Sequence, residues 1–140
     1  MSGEELLAKI AEHARWLEDR FSGCAQLRLS QVSVAGLRLP PGAKLGDALL
    51  IECQLPELEA KDADFSGCDL HGSDLRGANM TGASFAKADL HGVCLREANL
   101  EGVNFFRADL SGADLTGAKL KGARLERADT DGAIGLSASG

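Results

Sequence analysis

At 140 residues, with 4% aromatics, no tyrosine and 17 glycines, the chain has the length of one domain but too little bulk for an ordinary globular core; it suits a narrow interior filled by Leu and Ala. A net charge of −6 disfavours nucleic acid and anionic membrane as partners, and no apolar run approaches the ~20 residues of a membrane-crossing helix. Cys24, Cys53, Cys68 and Cys94 form neither a CxxC pair nor a disulfide framework, the opening residues Met1–Leu7 lack the apolar core of a signal peptide, and a cytoplasmic location is expected.

Ser2 and Glu5 have capping-box spacing, so a helix is expected to begin at Gly3 or Glu4. Leu6, Leu7, Ile10, Ala11, Ala14, Leu17 and Phe21 make one apolar stripe at helical spacing, and Gly23 is a suitable stop. This unit, residues 1–24, is expected to cover the open top of a repeat array, because a terminal repeat otherwise exposes its core. Trp16 lies off the stripe and is expected to cover the rim of the first coil.

The chain then becomes periodic. Ala25-Gln26-Leu27, Ser30-Gln31-Val32 and Ala35-Gly36-Leu37 read as three five-residue units. Pro40-Pro41-Gly42 shifts the frame by three residues, after which Ala43-Lys44-Leu45, Ala48-Leu49-Leu50 and Cys53-Gln54-Leu55 set the register kept to the end. Leu58-Glu59-Ala60 exchanges large for small at constant volume. From Phe65 to Leu125 every fifth residue is large and apolar, including Leu70, Phe85, Leu90, Phe105 and Leu110. Two residues earlier sits a small residue, one earlier mostly Asp or Asn, and two later mostly Gly.

A period of five matches neither a helix nor a strand. Short extended pieces joined by tight bends satisfy it: the small and large residues point inward, the polar residue between them points out, and Gly accommodates the bend. The A(D/N)LxG pattern resembles the pentapeptide-repeat family. The resemblance implies an all-β solenoid, a right-handed quadrilateral β-helix with four repeats per turn and about five turns, here over residues 25–135, followed by a tail, 136–140. The sequence supports four repeats per turn independently, because Phe65, Phe85 and Phe105 are 20 apart, as are Asp69, Asp89, Asp109 and Asp129. At the far end Thr130 takes an inward position and Ala133-Ile134-Gly135 breaks the pattern. The last coil is expected to offer an uncovered edge through which two chains meet tail to tail as a homodimer, the alternative being that the tail folds over that end.

The candidate partner-binding surface is built from outward columns. One carries Asp69, Asp89, Asp109 and Asp129; beside it run His71, His91, Ser111 and Asp131; the preceding corner carries Lys87, Arg107 and Arg127. His beside Asp suggests metal binding or acid–base work, but a flat solenoid face has no cleft to desolvate a substrate, and the glycines follow the repeat instead of opening a helix as a phosphate loop does. No catalytic, cofactor or metal residue is therefore assigned. The cations are expected to pair with the neighbouring aspartates across the corner. Arg76 and Arg96 are expected to be self-paired on a solvated face. Phe106 beside Arg107 has the composition of a binding hot spot.

Two functions follow. The first is a non-enzymatic protein-interaction scaffold. The second comes from the resemblance: some pentapeptide-repeat proteins mimic B-DNA in width and charge, occupy the DNA groove of gyrase and confer quinolone resistance. The net charge and the Asp column favour it. The tail AIGLSASG in place of a dimerising end module, the uninterrupted array over 43–132, and Lys87, Arg107 and Arg127 within the acidic face count against it.

Overall fold

Ser2 caps the first helix, its hydroxyl accepting the Glu5 N–H at 3.1 Å, and the computed structural model describes residues 1–20 and 25–136. Helix α1 runs Gly3–Glu18, with Glu4 and Glu5 in its first turn, where they complement the helix dipole, and Arg15 in its last. It stops at the extended Asp19, whose N–H reaches the Arg15 carbonyl at 3.0 Å. That is earlier than the stop expected at Gly23; Phe21 and Gly23 lie outside the described residues.

The buried face of α1 also differs from the expected stripe. Leu6, Ile10 and His13 are buried, whereas Ala11 is exposed. Leu6 and Ile10 meet Leu37, Leu39, Leu45 and Phe65 around a small apolar void, so the apolar face of the helix packs on the interior of the coil. Burial on this scale stabilises by about 1.5–3 kcal/mol per large side chain. His13 ties the helix to two coils at once: Leu27 N–H donates to Nδ1 at 2.9 Å and Nε2 lies 2.7 Å from the Gly46 carbonyl. With Nδ1 accepting, the ring is the Nε2–H tautomer and donates to Gly46. Trp16 is half-buried, stacked on His13 at 5.2 Å with the Arg20 guanidinium 3.8 Å above its ring.

The rest of the described chain is a coil held together by parallel bridges between successive turns. Strands β1 (Arg28–Ser30) and β2 (Leu49–Ile51) pair in register Arg28↔Leu49. All later pairings are single bridges that fall into four columns. The first side carries Lys44, Asp64, Ser84, Asn104 and Arg124; the second Leu49, Asp69, Asp89, Asp109 and Asp129; the third Gln54, Asp74, Cys94, Asp114 and Ile134; the fourth Glu59, Asn79, Asn99 and Lys119. The step within the array is twenty residues, which confirms four repeats per turn.

The first coil pairs with a step of 21 (Ser33↔Gln54, Arg38↔Glu59). Its inward pairs are thus Leu27/Leu29, Val32/Val34 and Leu37/Leu39, flanking outward Arg28, Ser33 and Arg38, while Ala25, Ser30 and Ala35 are exposed. The frame shift at Pro40-Pro41-Gly42 is therefore one residue, not three. Gly42 takes φ +75° and the turn closes from Ala43 N–H to the Pro40 carbonyl at 3.0 Å, absorbing the extra residue.

Inside, the three phenylalanines stack as the spacing required. Phe65 and Phe85 lie 4.8 Å apart at 2°, Phe85 and Phe105 5.7 Å apart at 13°, and all three are at most 1% exposed. Leu70, Leu90 and Leu110 form the next interior column, equally buried. Leu58 and Ala60 are both buried, so the exchanged pair keeps the interior full. From Cys68 to Ala128 each corner turn closes from the small residue's N–H to the preceding large residue's carbonyl, as from Cys68 to Phe65 at 3.1 Å, with the third turn residue at positive φ.

Candidate functional site: the aspartate–histidine face

The bridge geometry aligns Asp69, Asp89, Asp109 and Asp129 on the second side, one above another at a rung spacing of about 4.8 Å. Each carboxylate turns back on its own backbone. Oδ1 accepts the N–H two residues on: His71 at 3.1 Å, His91 at 3.0 Å, Ser111 at 2.9 Å and Asp131 at 3.0 Å. This local bond is why Asp and Asn suit the position, and it fixes the side chains before any partner arrives.

The neighbouring column adds a second layer. His71 Nδ1 lies 2.7 Å from Asp69 Oδ1, and this hydrogen bond pushes the His71 pKa above the ordinary imidazole value. One rung on, His91 Nδ1 lies 3.0 Å from Ser111 Oγ, and the Ser111 hydroxyl donates to Asp109 at 2.6 Å. That hydroxyl, followed by the Ser111 backbone N–H, holds the Asp109 carboxyl below the usual carboxylate range. His91 thus binds across a rung, whereas His71 binds within its own. The metal-capable atoms of Asp69, His71 and Asp89 lie within 4.8 Å of one another; Asp69 Oδ1 also accepts the His71 backbone N–H and meets its ring, and Asp89 Oδ1 accepts the His91 N–H.

The expected corner pairs do not form. Among the described residues, the ion pairs are Arg20–Asp47, His71–Asp69, Arg76–Asp74 and Arg96–Asp114, leaving Lys87/Asp89, Arg107/Asp109 and Arg127/Asp129 unpaired. Lys87, Arg107 and Arg127 sit at corner positions with φ near +60°, while the aspartates face their own turn. The Arg76 and Arg96 face is self-paired as expected, and Thr116 with Arg96 holds the Asp114 carboxyl low, the Thr116 hydroxyl contributing most. Phe106 is half-buried, its N–H donating to Asn104 Oδ1 at 2.9 Å, with the Arg107 guanidinium 5.3 Å from its ring. The structure brings the four aspartates and two histidines onto one strip and leaves Phe106 and Arg107 at its leading corner.

One feature escaped the sequence, and the role of one residue already placed beside the aspartates becomes specific. An open groove of about 580 Å³ lies between Leu17 of α1 and a wall of Lys44, Asp47, Asp64, Ser66 and Lys87; seeing it requires the helix docked. Ser111 joins the acidic column as a hydroxyl donor, which its place two residues after Asp109 signals. Among the described residues every buried side-chain nitrogen and oxygen has a hydrogen-bond partner, so no polar group inside the coil is left for a ligand. None of the described helices is long and apolar enough to cross a membrane.

The pentapeptide-repeat family model matches residues 42–72, 63–102 and 94–129 with eight copies. The chain therefore belongs to the pentapeptide-repeat proteins, and that membership implies the right-handed quadrilateral β-helix. A pentapeptide repeat protein of the Arabidopsis thaliana thylakoid lumen aligns at 30% identity over 66% of this chain and 63% of its own, with TM-score 0.62; the chain spans less than two thirds of that relative. Rfr23 of the cyanobacterium Cyanothece 51142 aligns at 22% identity over 89% of this chain and 98% of its own (TM-score 0.43). HetL of Nostoc, involved in heterocyst differentiation regulation, aligns at 28% over 75% and 59% (TM-score 0.37). No curated protein matches the chain in sequence.

Proposed function

We propose that this chain is a non-enzymatic protein-interaction rod whose working surface is the Asp69–Asp129 column, with His71, His91, Phe106 and Arg107 alongside. The observation that carries this reading is the locking of each carboxylate to its own backbone N–H. A partner that binds fixed charges meets little ordering cost, and a stack of like charges one rung apart is a pattern that a complementary basic surface can follow. Free thiols at Cys53, Cys68 and Cys94 fit a cytoplasmic location. Two copies meet through the C-terminal coil.

The test uses asparagine, which keeps the turn-holding oxygen and removes the charge. Asn79, Asn99 and Asn104 already hold their turns that way. Wild type and the Asp69→Asn/Asp89→Asn/Asp109→Asn/Asp129→Asn variant are compared in affinity capture, with a variant of the Asn79/Asn99 side as control. Partners lost only in the second-side variant support the reading. Identical partner sets for all three proteins overturn it.

The unbroken acidic column also favours a second reading, inhibition of DNA gyrase by mimicry of DNA. Inhibition of supercoiling at low micromolar protein, relieved by the four asparagines, is its expected result. No effect from folded protein at high concentration rejects it.

A further inference from the structure

Within the second side, Asp69, His71 and Asp89 each bring one ligand-type atom to within 4.8 Å of the other two, and all three residues are half-buried. Asp69 and Asp89 hold their own turns with Oδ1 alone, accepting the N–H groups of His71 and His91, and it is again Oδ1 of Asp69 that meets the His71 ring. Among the described residues neither Oδ2 has a hydrogen-bond partner, and no lysine or arginine pairs with either carboxylate. Two like charges bridged one above the other therefore repel across the ladder, each with an oxygen to spare and an imidazole beside them. The next rung is built differently. His91 turns to the Ser111 hydroxyl, which donates to Asp109, and Asp89, His91 and Asp109 do not gather in the same way. Asp109 and Asp129 below have Ser111 and Asp131 in the neighbouring column, so they have no imidazole of their own.

We propose that Asp69, His71 and Asp89 bind one divalent transition-metal ion of the zinc class, held by one imidazole nitrogen and two carboxylate oxygens and open to water on its outer side. The nitrogen decides the class of ion. Imidazole suits zinc and its neighbours, whereas magnesium and calcium take all-oxygen sets. Zinc–ligand bonds of roughly 2.0–2.2 Å place neighbouring donors about 3.4 Å apart around a tetrahedral centre. A set spanning at most 4.8 Å closes to that size by side-chain rotation, with the backbone ladder left in place. His71 enters as the neutral ring and exchanges its hydrogen bond to Asp69 for a bond to the ion they share. The bound ion cancels the repulsion between the two carboxylates and joins two successive turns outside the backbone ladder. The site lies on the strip assigned above to a protein partner but does not rest on that reading, because ion binding is measured with no partner present.

The test is isothermal titration of the full chain with zinc chloride at neutral pH, in a Cys24→Ser/Cys94→Ser background so that thiolates do not compete. Circular dichroism melts confirm that each variant is folded. One ion per chain is expected to bind, with a micromolar dissociation constant. Asp69→Asn and Asp89→Asn keep the turn-holding oxygen and remove the charge. Each of them, and His71→Gln, should raise the dissociation constant roughly tenfold or more, while His91→Gln and Asp109→Asn should leave it unchanged. In NMR spectra the ring signals of His71 should move with zinc and those of His91 should not. Absence of both heat and ring shifts at millimolar zinc overturns the site. Binding untouched by Asp89→Asn also overturns it, because His71 would then be collecting ions alone. An equal loss in His91→Gln places the ion elsewhere on the strip, and magnesium binding as tightly as zinc overturns the class of ion.

Discussion

His13 ties helix α1 to two stretches of the coil. Its ring fills two hydrogen bonds at zero exposure, so removing it strands a buried N–H on Leu27 and a carbonyl on Gly46. His13→Ala should cost roughly 1–3 kcal/mol, the usual penalty for an unsatisfied buried group, read in urea unfolding followed by fluorescence of Trp16, the only tryptophan. An unchanged midpoint would show the helix held by Leu6 and Ile10 alone. His71 offers a second test. Asp69 raises its pKa, so the pair favours the folded state below the ordinary imidazole range, and that contribution vanishes as pH rises through the raised value. Asp69→Asn should lower the His71 titration midpoint measured by NMR. The aspartate column was legible because its spacing of twenty is written in the sequence. His13 was not: it shares the Leu6 and Ile10 face by helical spacing, but a polar residue on an apolar stripe reads as an interruption until the carbonyl it meets is known.

Among the elements, the phenylalanine column sets the interior. Phe85 lies between two rings and is fully buried. Phe85→Ala should destabilise by about 3–5 kcal/mol, and Phe85→Asp should prevent folding, because a lone carboxylate would be buried between aromatic faces. A Phe85→Asp chain that melts like wild type would mean the inward register is wrong. Helix α1 can be tested by deleting residues 1–22. The exposed first coil should then aggregate, and a monodisperse product would show that Leu37, Leu39 and Leu45 need no cover. The element boundaries were only partly legible. The pattern small–polar–large located the main array, yet in the first coil both inward residues are large, as in Leu27/Leu29 and Leu37/Leu39. Searching there for the small residue displaced the register onto Ala25, Ser30 and Ala35, which face solvent. The corner pairs failed for a related reason: spacing places Arg107 near Asp109, but the carboxylate prefers the nearer Ser111 donors.

At the scale of the whole molecule, the rod separates its charges. The second side is acidic through four rungs, while cations gather on the fourth and first sides of the last. Net charge alone, the quantity visible in composition, averages this away. Asp109 and Asp114, both held low, contribute stability above the ordinary carboxylate range that is lost as pH falls through their lowered values. Their Asn replacements should therefore flatten the fall of stability at acid pH, read as urea midpoints over a pH series. The constant pairing step has a consequence for synthesis. Every turn after the first bonds to residues twenty positions away, so a growing chain never waits for a distant segment. Each rung can close on the one before it as the next twenty residues leave the ribosome. Stalled chains of increasing length should acquire protease resistance in steps of one turn, a ratchet that domains with long-range pairing lack.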